Sequence, residues 1–367
     1  MGFGFLWPPA WRSNIIAGSD FPKGRMVVQR RMKNRWISAL LWLAAVCALA
    51  GAIAAYWLQR PLDLRRSTAS LDLSIPAGVS ARQIAQQLHE AGVQSPGWWL
   101  YGWLRLSGQS RRIQAGSYEI EPGTTPQQLL DKLVRGEQAL RRVTLVEGWN
   151  YRQVLQALKS ADQLDWDLPE AALAQPAELM HALGLPAAHP EGRFFPDTYL
   201  YPKRQKASIL LRQAAAAMQR QLEQAWAQRA PNLPLKTPEE ALILASVVEK
   251  ETGASADRTL VAAVFINRLR LGMRLQTDPT VIYGLGPAFD GNLRKRDLLT
   301  DTPYNSYTRA GLPPTPIAMP GLDSLRATLQ PAASQALYFV ARGDGSSQFS
   351  ATLDEHNRAV RRYILAR

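Results

Sequence analysis

The run WISALLWLAAVCALAGAIAAYWL, Trp36 to Leu58, holds 23 residues and no charge. At about 1.5 Å rise per residue, a helix of this length spans roughly 34 Å, enough to cross a bilayer core of about 30 Å. Trp36 and Trp57 bracket it where the membrane meets water. Beyond it a pattern recurs three times: a short alternating strand, a turn glycine and an amphipathic helix. The copies are LDLSIPAGVSARQIAQQLHEAGV from Leu71, GSYEIEPGTTPQQLLDKLVRGE from Gly116 and RRVTLVEGWNYRQVLQALKSA from Arg141. Gly78, Gly123 and Gly148 suit turns with positive φ. Ser80, Thr124 and Asn150 are the expected N-caps. The spacing is too irregular for a solenoid. Two such units predict a small strand–helix–helix–strand module over residues 71–142, joined to the apolar run by a linker over 59–70.

The rest of the chain, 143–367, reads as a larger, mostly helical domain. RQKASILLRQAAAAMQRQLEQAWAQRA, from Arg204, has apolar residues at helical spacing. KTPEEALILASVVEKETG predicts a buried helix, apolar on nearly every face. Thr237 caps it, Pro238 suits its first turn, Glu240 completes a capping box and Gly253 stops it. A second helix follows in SADRTLVAAVFINRLRLG, with Ser255 as cap and Gly272 as stop. Thr277 or Asp278, before Pro279, opens a short helix ending near Gly284. From there to Gly321 the chain is rich in Gly, Pro, Tyr, Asn and Thr, and so long a loop region reads as a binding surface. ALYFVARGDGSSQFSAT predicts a C-terminal hairpin turning at Gly343–Gly345, and a helix from about Leu353 closes the chain. The fold class is α+β.

Charge adds a direction. The net charge is +13. Seven basic residues and one acid, Asp20, precede Trp36, and an excess of seven basic residues remains from there on. The basic tail, residues 1–35, predicts a cytoplasmic N-terminus, with everything after Leu58 outside the plasma (inner) membrane. A cleaved signal peptide is the competing reading, with ALA at Ala48–Ala50 as its site. The apolar run continues past that site to Leu58, too long for a signal core. Met26 and Met32 are alternative starts. Cys47, in the apolar run, is the one cysteine, so the outer part has no thiol for a disulfide, zinc cluster or nucleophile. The histidines show no metal-ligand spacing, and neither a metal nor a cofactor is expected. No zinc-finger or RNA-binding pattern is present, and nucleic acid is not an expected partner. An anionic wall polymer or lipid headgroups fit the outward positive charge better.

The candidate chemistry lies at the end of the buried helix. Glu249 and Glu251 project about 200° apart, so they cannot face one another across a cleft. Glu251 continues the stripe of Leu244, Val247 and Val248, and Glu249 that of Leu242 and Ala245. Spacing alone does not choose between them. Tyrosines with Asn, Gln and Thr supply what sugar rings need, apolar faces and directional hydrogen bonds.

ASVVEKETG, VFINRLRLGMRLQTDPTVIYG, YNSYTRAGLPPTPIAMPG and EGRFFPDTYLY resemble the MltG (YceG-like) endolytic murein transglycosylases, a likeness covering roughly Arg31 to Arg367. It implies cleavage of the β-1,4 bond from N-acetylmuramic acid to N-acetylglucosamine in peptidoglycan, without water, leaving a 1,6-anhydro end. It assigns the single catalytic glutamate to Glu251 and leaves Glu249 structural. The module at 71–142 resembles LysM, a binder of N-acetylglucosamine polymers. Gln276, Thr277, Asp278, Tyr283, Tyr304, Asn305 and Tyr307 are the candidate sugar-binding residues. Phe194 and Phe195 are expected to pack, and His356 to be structural. Peptidoglycan glycan strands are the expected partner, and peptidoglycan synthases are candidate partners.

Such chemistry explains a glutamate at an apolar helix end. The glycosidic oxygen is a poor leaving group and needs a proton as its bond breaks. Glutamate ordinarily titrates near about 4.3, and desolvation raises that value. The carboxylate formed then acts as base on the muramic acid 6-hydroxyl. The nucleophile is internal, so no second carboxylate is required, although Asp278 and Glu191 could approach in space. A hydrolytic muramidase and a non-catalytic wall-binding scaffold are the alternatives.

Overall fold

The computed structural model describes residues 24–65, 70–187 and 189–365. The first 23 residues of the expected basic tail, and 66–69 of the expected linker, lie outside them. The chain divides into two compact units. One holds Met1–Leu73, Gly78–Gln114 and Ile120–Gly136, and the other Ser74–Ala77, Ala115–Glu119 and Glu137–Arg367.

The first unit begins with α1 (Gly24–Gln59), which carries the apolar span Trp36–Gln59 with none of its most apolar window buried. In chain order there follow β1 (Leu71–Ile75), α2 (Ala81–Ala91), α3 (Gly97–Leu106), β2 (Gly116–Ile120) and α4 (Pro126–Arg135), with β1 and β2 forming a two-stranded sheet. The three helices belong to the first unit, whereas Ser74–Ile75 of β1 and Gly116–Glu119 of β2 are counted in the second. Ser80 caps α2 in a full capping box, as its sequence predicts. The cap of α4 is Thr125, one residue beyond the expected Thr124. The Thr124 N–H instead closes the preceding turn onto the Glu121 carbonyl at 3.1 Å, while the Thr125 hydroxyl accepts from the Gln128 N–H at 3.2 Å. The expected linker is tied down where it is described. Leu62 is buried, and backbone hydrogen bonds join Leu62 to Thr124, Arg65 to Gly92 and Gln94 to Asp63 at 2.8–2.9 Å.

The second unit runs β3 (Leu140–Thr144), α5 (Tyr151–Lys159), β4 (Leu164–Asp165), α6 (Ala171–Ala174), α7 (Pro176–Leu183), β5 (Thr198–Pro202), β6 (Gln205–Lys206) and α8 (Ala207–Ala227). It continues with α9 (Pro238–Glu251), α10 (Arg258–Arg270), α11 (Asp278–Leu285), α12 (Lys295–Leu299), α13 (Leu322–Leu329), β7 (Tyr338–Ala341), β8 (Ser347–Ser350) and α14 (Leu353–Val360). β3 pairs antiparallel with β5, Leu140 opposite Pro202, and β7 with β8, Tyr338 opposite Ser350. One core gathers around α5 and α8, with Phe194 fully buried in it.

The other core is built on α9. Every residue from Ala241 to Val248 is buried, and α8, α10, α11 and α13 pack around it. A helix apolar on all faces needs such a jacket. Its one polar interior residue, Ser246, is satisfied: its hydroxyl donates to the Ile243 carbonyl at 2.7 Å and accepts from the Ile317 N–H at 2.9 Å. That bond ties TPIAMPG to the helix.

The ends of these helices differ from the sequence reading. Thr237 caps α9, but the Glu240 carboxylate accepts from the N–H of Lys236 rather than from that of Thr237, so the box is displaced by one residue. The stop is Thr252, not Gly253. Thr252 is extended (φ −83°, ψ 109°), and its hydroxyl donates back to the Val248 carbonyl at 2.7 Å. Ser255 does not cap α10. It opens a 3₁₀ turn, Ser255–Asp257, which feeds directly into Arg258. Gly272 (φ 67°) follows the helix end as expected.

Candidate active site

Glu249 and Glu251 leave α9 in different directions, as their spacing requires. The Glu249 carboxylate accepts from the Gly321 N–H at 2.9 Å. Gly321 is the N-cap of α13, which has no side-chain cap of its own, so Glu249 serves a free N–H and the positive end of that helix. Glu147 lies against the same glycine. Its carboxyl is pushed up by burial first and by the Glu249 charge second.

Glu251 is part-buried, and its Oε1 accepts from the hydroxyl of Thr277. Burial raises its pKa above the usual carboxylate range. The Thr277 hydrogen bond pulls the other way, and the negative Asp278 adds to the rise. Desolvation wins, so the neutral acid persists to higher pH than in an exposed glutamate.

Thr277 is positioned by the YNSY loop. It is 2 % exposed, and its hydroxyl serves Glu251 instead of capping α11. Its N–H donates to the Ser306 hydroxyl at 3.0 Å, which also meets the Thr280 hydroxyl at 2.8 Å. Asn305 braces the loop from below. It is fully buried, its amide donates to the carbonyls of Leu298 and Thr300 at 3.0 and 2.7 Å, and its oxygen accepts from the Tyr307 N–H at 2.8 Å. The amide is therefore spent inside the protein.

Asp278 and Gln276 are exposed on either side of Thr277. Asp278 accepts from the Tyr307 hydroxyl at 2.6 Å, and burial and Asp278 together hold that phenol above its ordinary pKa. Gln276 takes a positive φ of 49°, and its side-chain oxygen accepts from Arg268 at 3.4 Å.

Arg268 lies in VFINRLRLGMRLQTDPTVIYG without being among the candidate site residues, yet it is 8 % exposed and organises this corner. Its guanidinium donates to the carbonyls of Leu337 and Leu275 at 2.7 and 2.8 Å and lies over the Tyr338 ring at 5.1 Å. His356 stacks on the same ring, a packing role.

Beside this corner is a cleft of about 510 Å³, lined among others by Gly148, Asn150, Arg152, Lys250, Pro279 and Tyr283. The sequence neighbours of Glu251 and Asp278, namely Lys250 and Pro279, are in its wall; Glu251 itself is not. Tyr283 does not offer its hydroxyl to the cleft. It donates to Glu191 at 2.9 Å, and its ring meets Tyr304 edge-on at 4.8 Å. The Tyr304 hydroxyl bonds that of Thr315 at 2.9 Å. Glu191, from EGRFF, is fully buried and also accepts from the Tyr151 N–H at 3.0 Å, at the start of α5. Burial pushes its pKa up to about 8, against hydrogen bonds from the Tyr283 hydroxyl and the Tyr151 and Gly192 backbone. No cluster of His, Cys, Asp and Glu suited to a metal occurs among the described residues.

The model of the YceG-like family matches residues 73–362. The chain belongs to the YceG-like family. It is 30 % identical over 323 residues to an endolytic murein transglycosylase of Bacillus subtilis, covering 84 % of this chain and 88 % of the relative. It is 28 % identical over 338 residues to an endolytic murein transglycosylase of Streptococcus pneumoniae, covering 83 % of this chain and 60 % of the relative. The crystal structure of a YceG-like protein of Listeria monocytogenes superimposes with a TM-score of 0.51 at 27 % identity, over 79 % of this chain and 98 % of that one.

Proposed function

We propose that this YceG-like protein is a membrane-anchored lytic transglycosylase. It cleaves the β-1,4 bond between N-acetylmuramic acid and N-acetylglucosamine in peptidoglycan and leaves a 1,6-anhydro end. The observation that carries this function is the desolvated Glu251 with the Thr277 hydroxyl on its carboxyl, in a family whose relatives are named endolytic murein transglycosylases.

Glu251 acts twice. As a neutral acid it gives its proton to the glycosidic oxygen while the bond from that oxygen to the muramic acid anomeric carbon breaks. The 6-hydroxyl oxygen of the same sugar bonds to the anomeric carbon, and its proton returns to Glu251. No water is consumed. Exposed Gln276 and Asp278, with part-buried Tyr307, are the proposed sugar contacts. Thr277, Tyr283, Tyr304 and Asn305 act from beneath, because their polar atoms are engaged within the protein.

In this proposal residues 71–142 form the LysM-like module and 143–367 the catalytic domain. Support for the anchor is the apolar span of α1. The orientation, with residues 1–35 cytoplasmic and the rest outside the inner membrane, rests on the basic residues before the span. Peptidoglycan synthases are the partners suggested by the likeness in sequence.

A hydrolytic muramidase is the second reading, favoured by a second carboxylate, Asp278, whose charge is felt at Glu251 and which could activate a water. Digestion of purified glycan strands separates the two, because anhydro ends are lighter than reducing ends by one water. The wild type is expected to release anhydro products and Glu251→Gln none. Cleavage by Glu251→Gln at the wild-type rate would refute the assignment of the acid.

A further inference from the structure

Helix α3 has almost no polar face. Its sequence is GWWLYGWLRL. Leu100, Trp103 and Leu104 are buried, yet Trp98 is 75 % and Leu106 89 % exposed, with Tyr101 at 39 %. Large aromatic groups left in water on one short helix are costly, and such patches mark a surface that is covered.

The end of α1 shows what covers it. A cavity of about 530 Å³ is walled by Ala54, Trp57 and Leu58 of α1 and by Trp98, Trp99 and Leu106 of α3 and its end, with Gln109, Gln127 and Asp131 at the polar side. The Trp57 ring meets those of Trp99 and Trp103 edge-on at 5.3 and 5.9 Å. A bilayer core takes about 20 helical residues. Counted from Trp36, it ends near Tyr56, which puts Ala54 within the hydrocarbon and Trp57 at its edge. A cavity that shares Ala54 with α3 therefore straddles the boundary between lipid and water.

The connection between the helices is short and fixed. Arg60 donates its N–H to Trp57, and the segment from Leu62 to Arg65 is hydrogen-bonded to Thr124, Gly92 and Gln94. The Arg60 guanidinium lies over the Tyr56 ring at 4.7 Å. Arg105, Arg111 and Arg112 are exposed on and just after α3. On the other flank of Trp98, a second hollow of about 500 Å³ brings Arg82, Gln86 and His89 to Trp98 and Tyr101. Aromatic groups among arginines suit the headgroup layer, where rings sit at the acyl boundary and guanidinium groups meet phosphate.

We propose that α3 lies in the outer interface of the bilayer, with Trp98 and Leu106 immersed among lipid. The first unit is then held to the membrane at two places, the span and α3. This rests on α1 being a membrane span.

Depth measurement on the full chain tests both points separately. Nitroxide labels are placed on native Cys47, and on Trp98→Cys, Leu106→Cys and Leu271→Cys in a Cys47→Ala background. The chain is reconstituted in vesicles of phosphatidylethanolamine and phosphatidylglycerol. Relaxation by oxygen is compared with relaxation by a water-soluble nickel chelate. Leu271, an exposed residue of the second unit, is the aqueous reference. The expected result is a ratio favouring oxygen at Cys47, Trp98 and Leu106, deepest at Cys47, and favouring nickel at Leu271. Aqueous values at Trp98 and Leu106 with Cys47 deep would overturn the placement of α3 and leave the anchor standing. An aqueous Cys47 would overturn both. Aqueous values at Trp98→Cys together with loss of nitroxide mobility there on adding N-acetylglucosamine oligomers would assign the patch to glycan instead of lipid.

Discussion

The Thr277 hydroxyl donates to Oε1 of Glu251 across 26 residues of chain. The carbonyl oxygen of a carboxyl group is the better acceptor, so this bond favours placing the acid proton on Oε2 and restrains rotation of the carboxyl group.

Thr277→Val keeps the shape and removes the donor. A hydrogen bond to a charged group is worth about 1.5–3 kcal/mol and Glu251 becomes charged as it gives up its proton, so kcat is expected to fall by about 10- to 100-fold. The bond also lowers the Glu251 pKa, so its loss should move the alkaline limb of the pH–rate profile upward. A slower enzyme with an unmoved limb would show that Thr277 does not act through Glu251.

Asp278→Asn removes a negative charge that raises the Glu251 pKa. The acid form then gives way at lower pH, and the alkaline limb of the pH–rate profile should shift down. Products should remain anhydro. Abolition of cleavage by this substitution would make Asp278 the second carboxylate of a hydrolase.

Glu191 is protonated in the fold up to about pH 8, but in the unfolded chain only to about pH 4.3. The folded state thus binds the extra proton between these values. Its contribution is fully present below the lower one and is lost as pH rises toward the upper one, with a slope of about 1.4 kcal/mol per pH unit. Denaturant unfolding across this window should show the decline in wild type and a flatter curve in Glu191→Gln. Equal slopes would mean that Glu191 is ionised in the fold.

Gly192 holds φ at 76°, and an added Cβ would meet the Pro316 ring at 2.6 Å. Gly192→Ala carries the left-handed penalty of about 1–2 kcal/mol plus this clash with a stiff ring. A drop in unfolding free energy beyond that penalty is expected by chemical denaturation, and an unchanged value would contradict the close approach.

What could be read from the residues alone were features set by local periodicity. The all-apolar pattern of Ala241–Val248 predicts a buried helix, and those residues are buried. Ser80 and Asn150 announce their helices by hydrogen bonds three residues long. Ends decided by neighbours in space were not legible. Gly253 resembles a stop, but Thr252 bonds back to Val248 first. The same holds in the site. Asn305 resembles a sugar ligand until α12 presents its terminal carbonyls. Arg268 resembles any helix arginine until the Tyr338 ring and the Leu275 and Leu337 carbonyls gather around it. Spacing left Glu249 and Glu251 open, and only the fold shows the Glu249 carboxylate taken up by the Gly321 N–H, 72 residues away.

The central proposal is that the muramic acid 6-hydroxyl, and not water, attacks the sugar that Glu251 has helped to free. Digestion of purified glycan strands in heavy-oxygen water tests it directly. New ends carrying no heavy oxygen, with the mass of the anhydro sugar, are the predicted result. Incorporation of one heavy oxygen at each new end would contradict it.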